Sequence, residues 1–229
     1  MRLVPVLYIL TLTLHSGWAQ APGTISGAVV DEHGKAKSGV WVTAVRATLP
    51  PARAMVSSDK NGAFVLPNLI PGDYRVCAQV PEGGYADPCQ WAGMAPNPKP
   101  AVTLRQGQGV ANLRIALDPA HPLQIRVNDP QGLLTAAHPE RHVVVGVFSG
   151  AGLFYAAPLK SADAAGRLHQ IWIPFDTPLK LSLLGKSVTL SDERGLAVSA
   201  AGATAPVSRA RNGPPAVPVV YTVTGVAPR

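Results

Sequence analysis

Two histidines flank a glutamate in the segment His-Pro-Glu-Arg-His, where metal chemistry would first be looked for. His138, Glu140 and His142 follow one another at intervals of two residues, so in a strand all three side chains would lie on one face. A zinc hydrolase combines such ligands with a distant third one, for which His169 is available. Pro139, however, disfavours a central strand. We therefore predict a solvated loop and no metal site.

The other arrangements that support catalysis are missing from the sequence. No Gly-x-Ser-x-Gly motif occurs to place a serine nucleophile on a tight turn. The Gly-x-Gly pairs at 107–109 and 150–152 lack the other glycines of a nucleotide-binding loop. Of the four glutamates, Glu32 and Glu193 lie inside predicted turns, so no carboxylate pair typical of a glycosidase stands out. We predict no catalytic residues, no cofactor and no enzymatic activity.

Aromatic side chains are the better candidates for ligand contact, because flat rings stack on sugars and anchor protein interfaces. Tyr85 and Trp91 lie in a loop predicted at 81–92, beside a Gly-Gly pair. These two rings are the ligand-contact candidates that the sequence favours. Three further aromatic residues could lie either on the surface or in the core: Trp41, Trp172 and Tyr155.

The N-terminal segment 1–19 has the features of a secretory signal peptide. Arg2 gives a positive start, residues 3–14 are mostly apolar, and Ala19 ends a small-residue cleavage site before Gln20. The apolar stretch is shorter than the roughly 20 residues of a membrane-spanning helix. We expect export to the periplasm or the extracellular space, and a mature chain without a transmembrane segment.

The chain has two cysteines, Cys77 and Cys89. An export signal and an oxidising compartment make an intramolecular disulfide their expected state. Cys77 lies on the outward phase of a predicted strand, and a proline and two glycines that follow would let the chain fold back over the sheet. The bridge would then hold Tyr85 and Trp91 in place.

The composition of the 229 residues is that of a folded all-β protein. The chain is 47% apolar and 14% charged, and its 22 glycines and 23 prolines would interrupt long helices. Short runs of Val, Thr, Ile and Leu between turn residues are typical of strands. The net charge of +7 is spread without runs of Lys or Arg, so we expect no nucleic-acid partner.

The spacing of strands and turns predicts two β-sandwiches in tandem, at 20–118 and 123–229. The turn motif Asp-x-x-Gly occurs five times, and the alternation over 74–80 is typical of a half-buried strand. A linker with two prolines is predicted at 119–122, and a mobile loop rich in Ala, Gly and Pro at 200–218. The predicted strands are 24–30, 40–48, 54–57, 63–67, 74–80, 101–105, 110–117, 123–127, 142–148, 153–157, 168–173, 179–184, 187–191, 196–199 and 217–223.

Four short motifs in the first half carry a family resemblance. They are Ile25–Gly34 (ISGAVVDEHG), Ser38–Ala44 (SGVWVTA), Ser58–Phe64 (SDKNGAF) and Leu69–Val76 (LIPGDYRV). This series resembles the carboxypeptidase regulatory-like domain, a transthyretin-like β-sandwich, over roughly residues 23 to 118. Ala36 departs from the pattern, since such domains often have proline there. The resemblance implies an accessory or interaction module, like those of exported bacterial proteins without a peptidase domain. Relatives in the superfamily include starch-binding-like folds.

Three functions remain open at this point. The first is an exported, non-catalytic module for binding or assembly at the cell envelope, with an envelope protein or a glycan as its partner. The second is a carbohydrate-binding module, from the superfamily likeness and the aromatic residues. The third, less favoured, is a metal-dependent hydrolase that would use His138, Glu140, His142 and His169.

Overall fold

The computed structural model describes residues 21–46, 52–91, 101–149, 152–198, 203–211, 213 and 217–227. Within these ranges the chain forms seventeen strands and no helix, so no described segment is a helix able to cross a bilayer. The predicted signal peptide lies outside the described residues. The strands are β1 Gly23–Val30, β2 Trp41–Arg46, β3 Ala52–Ser57, β4 Ala63–Leu69, β5 Gly72–Gln79, β6 Tyr85–Ala86, β7 Ala101–Leu104, β8 Gly109–Ala116, β9 Asp118–Asn128, β10 His142–Ser149, β11 Phe154–Ala156, β12 Leu159–Asp163, β13 Gly166–Pro174, β14 Leu179–Lys186, β15 Val188–Asp192, β16 Ala203–Val207 and β17 Val219–Val226.

The first sandwich consists of a three-stranded sheet, in the order β4-β1-β8, and a four-stranded sheet, in the order β3-β2-β5-β7. The alternation predicted for β5 is confirmed, since Tyr74, Val76 and Ala78 are each at most 2% exposed. The hydroxyl of Tyr74 donates to the carbonyl oxygen of Ile70 at 2.8 Å, which satisfies the one polar atom of that buried side chain. The largest other members of this core are Ile25, Val29, Val40, Val42, Phe64, Leu66, Leu69, Leu104, Ile115 and Leu117.

The five Asp-x-x-Gly motifs form turns, as predicted. In each of them an aspartate oxygen accepts a hydrogen bond from a backbone N–H two to five residues later, and the glycine has a positive φ between 62° and 152°. Asp59 shows the geometry, since its Oδ1 accepts from both Asn61 N and Ala63 N at 2.8 Å. Such side-chain bonds stabilise the turn, and glycine adopts the positive φ without strain.

The second sandwich consists of a sheet in the order β12-β13-β9-β17-β15, extended by β6 at β9, and a sheet in the order β11-β10-β14-β16. β9 is the central strand, antiparallel to β13 and parallel to β17. The protein is thus all-β with two sandwiches in tandem. The largest buried residues of the second core are Trp91, Leu123, Ile125, Val127, Leu134, Val145, Val147, Ile171, Ile173, Leu179, Leu181, Leu183, Leu190, Tyr221 and Val223.

The prediction of a separate linker at 119–122 is wrong, because this segment is the first half of β9. The backbone N–H of Leu117 still bonds to Val30 of the first sandwich at 2.9 Å, and Asp118 already lies opposite Ala86 in the second. The chain therefore passes directly from one sandwich to the other. The prolines here are strand residues, whereas the sequence pattern suggested a stiff connector.

Three further differences concern strands. The segment 200–218 is not a continuous loop, because β16 within it pairs with β14; residues 200–202, 212 and 214–216 lie outside the described residues. The strand expected at 196–199 is, as far as it is described, a single bridge between Ser191 and Ala197. The short strands β6 and β12 were not predicted.

Candidate functional site

The disulfide between Cys77 and Cys89 is present, as predicted, with a Cα–Cα distance of 5.5 Å. Cys77 lies on the outward phase of β5, and the bridge fixes to that strand the segment Val80–Trp91, here called the tethered loop. This loop contacts the second sandwich, because β6 within it pairs with β9 and Trp91 lies in the second core. It is therefore the part of the chain around which a functional site can be built.

A turn at Asp87 directs the end of the tethered loop. Its Oδ1 accepts from Cys89 N at 2.8 Å and from Gln90 N at 3.4 Å, and its carbonyl oxygen accepts from Trp91 N at 3.0 Å. Burial raises the pKa of the Asp87 carboxyl above its ordinary value, although these two N–H donors act in the opposite direction. The turn, together with the disulfide, aims Trp91 at the second sandwich.

Trp91 is fully buried in the core of the second sandwich, with 0% of its surface exposed. Its indole Nε1 donates to the carbonyl oxygen of Trp172 at 3.0 Å, and its ring centre lies 4.6 Å from that of Tyr155. Trp172 pairs with Pro122 of β9, which has no N–H to donate. Trp91 is thus a structural residue, which corrects the expectation that its ring contacts a ligand.

Tyr85 lies at the junction and is half-buried. It pairs with Pro119 of β9, packs against the first core, and has the ammonium nitrogen of Lys37 at 5.2 Å from its ring centre, a favourable cation–π geometry. Burial raises the pKa of the Tyr85 hydroxyl, and the nearby carboxylates of Glu32 and Asp31 raise it further. Its role in ligand contact remains a proposal.

Gly83 brings the tethered loop directly onto the second sandwich. Its φ is +82°, and a Cβ at this position would overlap the indole ring of Trp172. Glycine is the residue that permits both this backbone conformation and this close approach. Trp172 itself is half-buried, while its neighbours Ile171 and Ile173 are at most 3% exposed, so the ring lies on the side facing the loop.

A polar cavity of about 470 Å³ opens beside the tethered loop. Two turns of the first sandwich meet there, and the wall carries charges of both signs. The carboxylate of Asp31 already accepts from the backbone N–H of Lys35 at 2.8 Å and of His33 at 3.0 Å, and these bonds, that of Lys35 first, lower its pKa. Such a cavity can hold a small polar ligand. It is lined by Asp31, Lys35, Ala36, Lys37, Ser38, Val80, Glu82 and Gly83.

The histidines do not converge. His138 lies in an exposed turn, as predicted, and its Nδ1 is 3.2 Å from Glu140, while Nδ1 of His142 is 3.4 Å from the carbonyl oxygen of Pro139. His169 is elsewhere, 3.0 Å from the carbonyl oxygen of Ala157. In the described part of the chain no three residues of the types His, Cys, Asp or Glu are grouped to hold a metal.

Trp41 is the large aromatic ring that the structure leaves most open. It is 44% exposed while Val40 and Val42 on either side are 0% exposed, so the ring faces solvent and the two valines face the core. On the same face, Met55 of β3 is 56% exposed. Sequence reasoning identified Trp41 as an alternative without deciding its side, because alternation gives the phase but not which phase is buried.

A family comparison identifies the first sandwich. The carboxypeptidase regulatory-like domain model matches residues 24–118, which include β1 to β8, with the turn and strand geometry described above. Residues 24–118 are thus similar to a carboxypeptidase regulatory-like domain. The remainder of the chain, including all of β10 to β17, lies outside this match, and no peptidase domain was found. No curated protein matches the chain.

Several solved structures are similar to this chain at low identity and low TM-score. The Bacillus anthracis TIE protein has a TM-score of 0.33 at 12% identity, covering 89% of this chain and 34% of that one. A streptococcal ancillary pilin has a TM-score of 0.39 at 13% identity, covering 92% of this chain and 64% of that one. GBS52, the minor pilin of Streptococcus agalactiae, has a TM-score of 0.36 at 10% identity, covering 90% of this chain and 98% of that one. This chain thus spans about a third of the length of the TIE protein and about two thirds of the length of the ancillary pilin. At these scores the likeness supports no statement about function.

Proposed function

We propose that this chain is an exported, non-catalytic β-sandwich protein that serves as a binding or assembly module at the cell envelope. The observation that supports it is the exposure of large apolar side chains on the sheet faces of both sandwiches. Trp41 and Met55 are 44% and 56% exposed on the first, and Phe154 and Leu184 are each 39% exposed on the second. Grouped apolar side chains at a protein surface are typical of interaction sites.

The tethered loop suits this role because it links the two sandwiches. Cys89 is bonded to Cys77 of the first sandwich, and two residues later Trp91 is buried in the core of the second. A partner bound to one sandwich is thus joined to the other by buried contacts. The residues of this region that could be chemically reactive already have structural roles, since the two cysteines are bonded to each other and Asp87 accepts hydrogen bonds from the loop backbone.

Export is supported by the N-terminal sequence and by the disulfide, since disulfides persist in oxidising compartments. We expect the mature protein to begin at Gln20 and to be found in the periplasm or outside the cell. N-terminal sequencing of protein recovered from fractionated cells tests this. A cytosolic protein that starts at Met1 with two free thiols would contradict it.

Photo-cross-linking in the native envelope tests the binding role. A benzoylphenylalanine placed at Met55 is expected to give a discrete adduct, because it lies beside Trp41 on an exposed face, whereas one at Lys60, in an exposed turn, is expected to give none. Absence of adducts from surface positions on both sandwiches would overturn the proposal. Near-equimolar zinc in the purified protein, or hydrolysis of peptide or ester substrates, would instead support the hydrolase alternative.

Carbohydrate binding is the second candidate, favoured by the solvent-facing ring of Trp41 and by the polar cavity, whose lining residue Lys37 lies over the ring of Tyr85. Exposed rings on flat sheets stack on sugar faces, and charged side chains can bond to hydroxyl groups. Calorimetric titration against a panel of glycans tests this. Loss of binding in Trp41→Ala would place the sugar on the sheet face, and loss in Tyr85→Ala would place it at the cavity. Heat signals that neither variant changes would refute both placements.

A further inference from the structure

The outer face of the sheet β11-β10-β14-β16 has the composition of a docking surface. Its apolar members, here called the apolar face, are Val144, Phe148, Phe154, Ala156 and Leu184. We propose that this face binds an acidic, partly apolar segment of a partner protein. The proposal rests on the binding function proposed above and names the surface and the chemistry of the partner.

The register of the strands places these side chains together. Val144 of β10 lies opposite Leu184 of β14, and Phe148 lies opposite Phe154 of β11, with their ring centres 5.2 Å apart. Val144, Leu184 and Phe154 are 38%, 39% and 39% exposed, whereas the inward residues of β14, such as Leu183, are buried. The apolar face is therefore one continuous surface on the side of the sheet away from the core.

A glycine makes this face flat. Gly146 lies in the middle of β10, opposite Ala156, and a Cβ added to it would overlap the ring of Phe154. The Phe154 ring thus lies across the strand instead of standing upright. Glycine weakens the interior of a strand and is often found where another group must approach closely. The result is an aromatic platform beside Val144 and Leu184, which an extended or flat partner can cover.

Charge indicates the kind of partner. The four strands of this sheet contain no aspartate or glutamate in their described ranges, but they contain two exposed lysines, Lys180 and Lys186, on the outward phase of β14. Lys180 lies opposite Phe148, and Lys186 lies opposite His142. The lysines therefore border the apolar face with positive charge. A second copy of the chain would bring like charges together, whereas a segment with carboxylates complements them.

Synthetic peptides test the chemistry directly. One peptide of about eight residues alternates valine and glutamate, and its matched control alternates valine and lysine. In titrations followed by amide chemical shifts, we expect the acidic peptide to bind at least about ten-fold more tightly, with the largest shifts in β10, β11 and β14. Equal affinity for the two peptides, or shifts confined to another face, would overturn the proposal.

Surface variants test the location. Leu184→Lys is expected to weaken binding of the acidic peptide about ten-fold. The double variant Lys180→Glu with Lys186→Glu is expected to bind the basic peptide more tightly than the acidic one. Val65→Lys, at a 55% exposed position in β4 of the first sandwich, is the control and leaves both affinities unchanged. Melting temperatures confirm that each variant is folded. Binding to anionic lipid vesicles that exceeds binding to the peptide would contradict a protein partner and point to a membrane surface.

Cross-linking in the native envelope separates this inference from the proposed function. A benzoylphenylalanine at Ala156 is expected to give an adduct with a protein whose cross-linked segment contains carboxylates. If Met55 gives an adduct and Ala156 gives none, the proposed function stands and the apolar face is not the docking surface. If neither position gives an adduct, both proposals fail.

Discussion

Replacing Trp91 should destabilise the second sandwich although the residue precedes it in the sequence. The indole is 0% exposed, contacts Tyr155 at 4.6 Å between ring centres and donates to the Trp172 carbonyl at 3.0 Å. Truncation of a buried tryptophan to alanine costs about 3–5 kcal/mol. Trp91→Phe keeps most of the ring and removes the donor, which costs about 1–3 kcal/mol when the acceptor has no other partner.

Differential scanning calorimetry and urea unfolding measure both variants. At about 2–4 °C per kcal/mol for a chain of this size, Trp91→Ala is expected to lower the melting temperature by ~6–20 °C, with Trp91→Phe between it and the wild type. If the sandwiches unfold separately, the transition of the second one is expected to move. Trp41→Ala is the matched control: its ring is 44% exposed, and its removal is expected to change stability by no more than about 0.5 kcal/mol. A Trp91→Ala variant as stable as Trp41→Ala would refute the assignment of Trp91 to the second core.

Three further predictions concern the disulfide, pH and proteolysis. Changing Cys77 and Cys89 together to serine removes a bridge between residues 12 apart, worth about 3 kcal/mol on the chain-entropy model, and is expected to lower the unfolding transitions of both sandwiches, because the tethered loop carries Trp91. Burial, and secondarily the positive charge of Arg209, hold the pKa of His121 below its ordinary value. Because the unfolded chain then binds the proton more readily, the free energy of unfolding is expected to be full above about pH 6.5 and to fall as the pH decreases below that value. The fall is expected to be less steep in His121→Gln. Limited trypsinolysis is expected to cut first at Arg209 or Arg211, which follow β16, before any arginine inside a described strand.

Each of these has a clear contrary result. Two titratable thiols in denatured, unreduced protein from the envelope would contradict the bridge, and a double-serine variant in which the second transition stays fixed would contradict its link to Trp91. Equal acid sensitivity of wild type and His121→Gln would show that another group controls the pH response. First cleavage within β5 or β9 would mean that the segment after β16 is better protected than these two strands.

Most of the architecture could be predicted from the sequence because it depends on local patterns. The alternation in β5 sets the buried side of that strand, and Asp59 with Gly62 forms a turn from four consecutive residues, whose side-chain bond is local. The disulfide was predictable from two cysteines that follow a predicted export signal. The resemblance of the first sandwich to the regulatory-like domain was recognisable from four short motifs in a fixed order along the chain.

The long-range contacts could not be predicted in the same way. Pro119 and Pro122 suggested a linker, yet they are strand residues, since prolines are accepted in a sheet where no N–H is needed. Trp91 suggested an exposed ring, because a loop beside two glycines is usually at the surface. Its burial depends on contacts with Tyr155 and with the carbonyl oxygen of Trp172, both more than sixty residues later in the chain, which only the folded sheets bring together.

The same limit applies to the surfaces. In a strand, side chains alternate between the two sides of the sheet. Trp41 therefore points to the side opposite from Val40 and Val42, and Val144 and Leu184 point to the side opposite from their chain neighbours. Where both phases carry apolar residues, as around Trp41 and Val144, the covered phase depends on the second sheet that packs there, and the sequence does not specify that partner. Only the tertiary structure placed Phe154 across Gly146 and brought the lysines of β14 beside it. Strand geometry is local in the chain, whereas burial is decided by residues that are distant in sequence and meet only on folding.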